Sequence, residues 1–350
     1  MLTTAAVRVL TARELNRALL ARQLLLKRAT VALPRALELM GCLQAQYAPS
    51  MYIGLWSRVH GFRRGDLTRA LEERTVVQGT LMRVTIHLVS AADYWPLALA
   101  VREARRALWL RATRHTVRAE ALAQAAAVLR ERVRQSPGRR AEMDQLIGKE
   151  LAIGAGLWED FIRGPPSGTW ERRRADLYGA AEDWLGPPPA DLDVETATEH
   201  LVRRYLSGVG PATAADVADW GGLRTADVVA VLGRLDLRRF ADEDGRELYD
   251  LPDAPIPDPD TPAPVRFLPT WDASLLVHAR RKSVIAEAHR PLVFNTKTPH
   301  SVCTFLVDGT VAGTWRYEKG EIRLAPFAPL APAVLAELED EAARLAAFHG

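Results

Sequence analysis

Between residues 12 and 28 leucine recurs at helical spacing behind Thr11, a residue type suited to capping a helix. The pattern predicts a second helix from Pro34 that carries Leu37, Leu39 and Met40 toward Leu43, a third over about 51–59, and a fourth from near Asp66. The texture then changes. Residues 75–78 and 84–89 are β-branched runs joined by 79–83, which predicts a hairpin. A few helices followed by a two-stranded hairpin outline a winged helix.

The outline recurs. Helical periodicity returns over 93–110, 119–134 and 140–150, and 162–172 reads as a turn-centred hairpin. The third instance is the clearest. Helices are predicted over 194–206, 211–220 and 226–235, with a turn at Gly221-Gly222, a cap at Thr225 and a hairpin around Asp244-Gly245. Residues 251–264 form a Pro/Asp linker that suits neither helix nor central strand. Beyond it, 265–268, 274–279, 292–294, 301–307, 311–317 and 321–324 are β-rich, and 331–347 reads as a closing amphipathic helix. The fold class expected is α+β. Its units are three tandem winged helix-turn-helix segments at 1–92, 93–190 and 191–250, then the linker and a β-rich module at 265–350.

Charge changes this picture more than composition does. The net charge of +3 hides a polarised chain. Residues 1–180 hold 29 Lys and Arg against 16 Asp and Glu, and residues 181–350 hold 17 against 27. Nearly all the cations are Arg, which pairs bidentately with phosphate, so nucleic acid is the first partner to test. Two distant cysteines, Cys42 and Cys303, exclude a disulfide scaffold. The eight His show no metal-ligand spacing, and no phosphate-cradling loop or serine elbow is present, so neither metal nor cofactor is expected. No apolar run reaches membrane-spanning length and no signal peptide is visible, so a cytoplasmic protein is expected.

Three stretches offer chemistry. Gln44 and Gln46 flank Ala45 at the end of the second helix. If the backbone there is extended, both amides project on one face. Neutral amides can hold a water or offer oxygens to a developing cation; alternatively, they satisfy loose backbone groups at the helix end. Arg83, Thr85 and His87 would share one strand face, suited to phosphate contact or merely solvated. Arg280, Arg281 and Lys282, with Phe294, Asn295, Lys297 and His300, mix basic and apolar residues at an expected hairpin tip. Such a tip either wedges into a minor groove or is a plain exposed turn.

Together, Gln44-Ala-Gln46, Met82-Arg-Val-Thr-Ile-His87, Phe267-Leu-Pro-Thr-Trp-Asp272 and Leu306-Val-Asp-Gly-Thr-Val-Ala-Gly-Thr-Trp315 resemble one family. It comprises the bacterial winged-helix DNA glycosylases related to the azinomycin-resistance enzyme that unhooks interstrand crosslinks (AlkZ-like). The resemblance implies three tandem winged helices and a C-terminal β-barrel. It also implies a catalytic motif of Gln, a hydrophobic residue, then Gln or Asp. Gln44 and Gln46 match the Gln/Gln form, which resembles the crosslink-unhooking branch, with Ala45 smaller than the usual middle residue. The hairpin near Asn295 falls where family members touch the minor groove. The expected activity is monofunctional hydrolysis of the N-glycosidic bond of alkylated purines in double-stranded DNA, in repair or in self-resistance to a genotoxin. Gln44 would position the water, and Gln46 would assist it or the sugar cation. The competing class is a non-enzymatic winged-helix regulator. Against it stand the 226–235 helix, which offers base edges almost nothing, and the lack of a dimerisation helix; a monomer is expected.

Overall fold

Most of the predicted helices start where the sequence supplies a cap or a proline. Thr11 and Glu14 form a capping box ahead of the Ala12–Arg22 helix, and Thr213 and Asp216 do the same for Ala214–Gly221. Pro34 and Pro49 lie in the first turns of the Leu33–Met40 and Ala48–Arg58 helices. The computed structural model describes residues 7–114, 116–276, 280–294 and 301–350, with only the backbone of Arg280 and Arg281.

The first helix stops at Arg22, well before the leucine pattern does. Leu24 turns to a φ of 58°. Gln23 is buried, and its side-chain amide donates to the carbonyls of Met40 (3.0 Å) and Gly208 (2.7 Å). The Val194–Val209 helix approaches so closely there that a Cβ on Gly208 would lie 2.1 Å from the Met40 oxygen. Tertiary contact thus overrides local propensity at the segment that leads into Gln44.

Strands from both sides of position 92 build one six-stranded sheet. Its order is Leu43–Gln44, Ile86–Ser90, Val76–Thr80, Phe161–Arg163, Leu177–Ala180, then Gly138–Arg139. The helices Val194–Val209, Ala214–Gly221 and Thr225–Leu232 are followed by the hairpin Arg238–Asp242 and Glu247–Asp250, the order expected from the sequence. Val9–Leu10 adds a parallel strand to that hairpin.

The C-terminal module corrects an expectation. Its sheet of Arg266–Leu268, Thr304–Val307, Thr310–Glu318 and Glu321–Pro326 is open rather than a closed barrel. The closing helix, Pro332–His349, packs on both edge strands, so strand-to-strand closure is replaced by helix on sheet. The expected strands at 274–279 and 292–294 are also overturned: the described parts are short helical turns, Ala273–Leu276 and Arg290–Val293. Both runs are too short for periodicity to separate the two states.

One apolar core runs from Leu19 to Leu345, and its centre is the Ala48–Arg58 helix, buried on nearly every side. Arg58 and Asp272 form a bidentate pair (2.7 and 2.9 Å) with both side chains fully buried. Ser57 donates to the Phe267 carbonyl, and the Ser50 and Thr270 hydroxyls lie 2.9 Å apart. The Phe267–Asp272 stretch is therefore welded to the helix that follows the glutamine motif. Asp272→Leu leaves an unpaired buried guanidinium and is expected to cost about 3–5 kcal/mol, whereas Arg58→Met combined with Asp272→Leu should cost less than either single change. Thermal unfolding of the four proteins in a double-mutant cycle measures this coupling.

Candidate functional site

The site is built on the edge of the six-stranded sheet. Leu43–Gln44 pairs antiparallel with the Ile86–Ser90 strand, setting Gln44 directly opposite His87. Directly opposed residues share one sheet face, so these two side chains lie side by side. Ala45 continues the ladder, its N–H donating to the Ile86 carbonyl at 2.7 Å. At Gln46 the backbone ladder is over, and the side chain takes its place: Oε1 accepts the Ile86 N–H at 2.9 Å. That bond fixes the amide, because only the oxygen can face a donor, and leaves the NH2 group of this exposed residue for other partners.

The two alternatives for the glutamines thus divide between them. Gln46 satisfies a loose backbone group. Half-buried Gln44 makes no hydrogen bond among the described residues. It lines a cavity of about 10 Å³ with Cys42, Arg83, His87, Trp220 and Leu276, at the threshold of room for one water.

Arg83, Thr85 and His87 do not form the strand face expected of them. The strand begins at Ile86, and Arg83 and Val84 sit in a tight turn with φ of 52° and 61°. A left-handed backbone at β-branched Val84 is strained, and here it adjoins the site. The turn aims Arg83 at the end of the Ala214–Gly221 helix, where it donates to the Trp220 carbonyl at 3.1 Å and caps the negative dipole end. Thr85 bonds back to the Met82 carbonyl at 3.0 Å. His87 is 2% exposed and lies 3.1 Å from the Thr85 carbonyl through Nδ1, which must therefore carry the proton. Burial, with the neighbouring Arg83 charge, lowers its pKa to about 3. A phosphate contact by His87 is incompatible with that burial; the residue belongs to the cavity wall.

The C-terminal candidates are divided. Lys282 is exposed but lines a cavity with Asp242, Glu243 and Asp244, an acidic rather than a phosphate-bearing neighbourhood. Arg280 and Arg281 fall in the short Arg280–Ser283 turn. Half-buried Phe294 pairs with Ser301 in an antiparallel bridge. Asn295, Lys297 and His300 lie outside the described residues.

Sequence reasoning missed Cys42 and Trp220 as neighbours of Gln44. Burial pushes the Cys42 thiol up to about 12, so it is no nucleophile. Trp220 reaches the site from a helix far along the chain and carries no local signal. Among the described residues no group of His, Cys, Asp or Glu is placed to hold a metal, and no helix is long and apolar enough to cross a membrane.

The fold is similar to that of the solved Streptomyces sahachiroi DNA glycosylase AlkZ. The TM-score is 0.81 at 18% sequence identity, over 98% of this chain and 97% of that one. A search of curated proteins gives no match. The family model described as DNA glycosylase AlkZ-like matches residues 37–348, which include both glutamines, the strained turn and the Phe267–Asp272 weld. The chain belongs to the AlkZ-like DNA glycosylase family.

Proposed function

We propose that this member hydrolyses the N-glycosidic bond of N7- and N3-alkylated purines in duplex DNA, with Gln44 and Gln46 at the reacting centre. The carrying observation is the Gln44 amide, without a hydrogen bond among the described residues, in the wall of a cavity at the threshold of room for one water, where burial keeps His87 neutral and the Cys42 thiol protonated. The proposal retains the three helix-and-hairpin sets as winged-helix units at 1–92, 93–190 and 191–250. The Gln/Gln motif extends it to bulky and interstrand-crosslinked adducts.

The chemistry suits neutral side chains. An alkylated purine is already cationic, and it departs with the C1′–N9 electron pair, which neutralises the ring. No strong general acid is needed. The sugar passes through an oxocarbenium-like state, as in O-glycoside hydrolysis. Water then adds to C1′ and its proton goes to solvent. Gln44 can accept a hydrogen bond from that water and so aim its oxygen. Gln46 presents its NH2 group outward, and a donor cannot stabilise a cation. Its bond to Ile86 therefore favours a role on the water or a DNA oxygen over a role on the sugar. The motif contains no Lys, so no Schiff base forms there.

Gln44→Ala is expected to lower single-turnover excision of N7-methylguanine from a duplex roughly 10²-fold while retaining DNA binding. Alkaline cleavage of the product reads the rate; full excision by the variant sinks the assignment. The pH profile is a second test. Neither glutamine titrates, the pKa of His87 is lowered to about 3 and that of Cys42 raised to about 12. Between pH 5.5 and 9, roughly, the excision rate should show no inflection from these groups. A bell-shaped profile centred in that window points to a titrating acid or base elsewhere.

A further inference from the structure

We propose that the exposed run Arg172-Arg173-Arg174 is a phosphate clamp that grips the DNA backbone beside the glutamine motif. This rests on the glycosylase reading above and names a contact surface for it.

The run lies in the long connection between the Phe161–Arg163 and Leu177–Ala180 strands; the hairpin expected over 162–172 is instead this connection, with its second strand further on. In the fold its backbone is firmly held. Ser167 Oγ donates to the Arg174 carbonyl at 2.7 Å and accepts the Asp176 N–H at 2.7 Å and the Leu177 N–H at 3.1 Å. The N–H groups of Gly168 and Thr169 donate to the Arg172 carbonyl at 2.8 and 3.1 Å. Trp170 is the anchor, buried with its ring edge-on to Tyr52 at 5.7 Å and to Phe348 at 5.5 Å.

The side chains, in contrast, are largely without countercharge. All three arginines are exposed, and among the described residues neither Arg172 nor Arg173 has a carboxylate partner. Arg174 has only Asp176, at 3.8 Å. Elsewhere in the chain arginines are typically paired, as at Arg22–Asp250, Arg58–Asp272 and Arg105–Asp160. Three consecutive arginines concentrate positive charge on one loop, which a phosphate strand would neutralise. Their position completes the argument. Arg173 donates to the Tyr47 hydroxyl at 3.0 Å, and its guanidinium lies 6.0 Å from the Tyr47 ring and 5.9 Å from that of Trp170. Tyr47 directly follows Gln46. A strand that brings a lesion to the glutamines therefore passes close to Arg173, and its neighbours in the run extend the cationic surface.

The test uses the full chain with Arg172→Ala, Arg173→Ala and Arg174→Ala combined, beside the corresponding triple Lys variant. Binding to a duplex carrying N7-methylguanine is measured by fluorescence anisotropy across a salt series. The Ala variant is expected to bind at least roughly tenfold more weakly and to lower the slope of log K against log salt by about 2–3. Its excision rate at saturating enzyme should fall much less than its affinity. The Lys variant should restore the slope. Unchanged affinity and slope in the Ala variant overturn the clamp. So does a Lys variant as weak as the Ala variant, because lost packing is then the cause. Absence of excision by the unmodified protein overturns the glycosylase reading instead, and the salt slopes still decide whether these arginines touch DNA.

Discussion

A charged pair that never meets water, Arg58–Asp272, lies at the centre of this architecture. Both side chains are fully buried, and both carboxylate oxygens are occupied by the guanidinium. Removal of either partner strands a charge in a low-dielectric interior, so the two halves of the chain are obliged to stay together. The pair anchors the Ala48–Arg58 helix, whose N-terminal end follows directly on Gln46. Whatever holds that helix therefore also sets the position of the glutamine motif. Gln23 and Gly208 fix the other side of the motif, where helix backbones come nearly into contact at Met40.

The arginine-rich composition acquires two meanings in this light. Inside, guanidiniums bridge elements distant in sequence, as Arg17, Arg22, Arg58 and Arg105 do with carboxylates or carbonyls. Arg83 caps a helix end in the same way. A guanidinium suits this work because it stays charged when buried and presents several donors in a fixed fork. Outside, Arg172 and Arg173 have no carboxylate partner among the described residues, and Arg174 has only a long contact to Asp176, on a loop held by its own backbone hydrogen bonds. The same residue type therefore closes the fold and leaves charge beside the site, and only its partners distinguish the two uses.

The cavity beside Gln44 is defined by neutrality. Burial and the neighbouring Arg83 charge keep His87 neutral, with its one proton on Nδ1, and burial keeps the Cys42 thiol protonated. A site of this kind has little capacity for proton transfer, and under the proposed function it would discriminate through the leaving group. A purine that already bears a positive charge leaves readily, whereas an undamaged one does not. The strained turn at Arg83 and Val84 belongs to the same arrangement, since it places the Arg83 charge against both the cavity and the helix end.

Much of the fold was legible in the sequence because its signals are local. The cap at Thr11, the proline at 34 and the Asp244-Gly245 turn act over a few residues, and the elements they announce are present, although Thr225, expected as a cap, is instead the first residue of the Thr225–Leu232 helix. The Gln44-Ala-Gln46 spacing singled out the motif. It could not assign Gln46 to the Ile86 backbone and Gln44 to the cavity, because that difference depends on a strand some forty residues away. His87 read as a surface residue until strand pairing turned it inward, and Arg83 read as a strand residue until the turn redirected it. The C-terminal sheet stays open because a helix packs on its edges, a contact beyond the reach of strand periodicity. The sequence by itself determined most of the elements that form and singled out Gln44 and Gln46 as candidates for chemistry. The tertiary structure decided which of those residues face water, because burial depends on partners as distant as the 214 positions between Arg58 and Asp272.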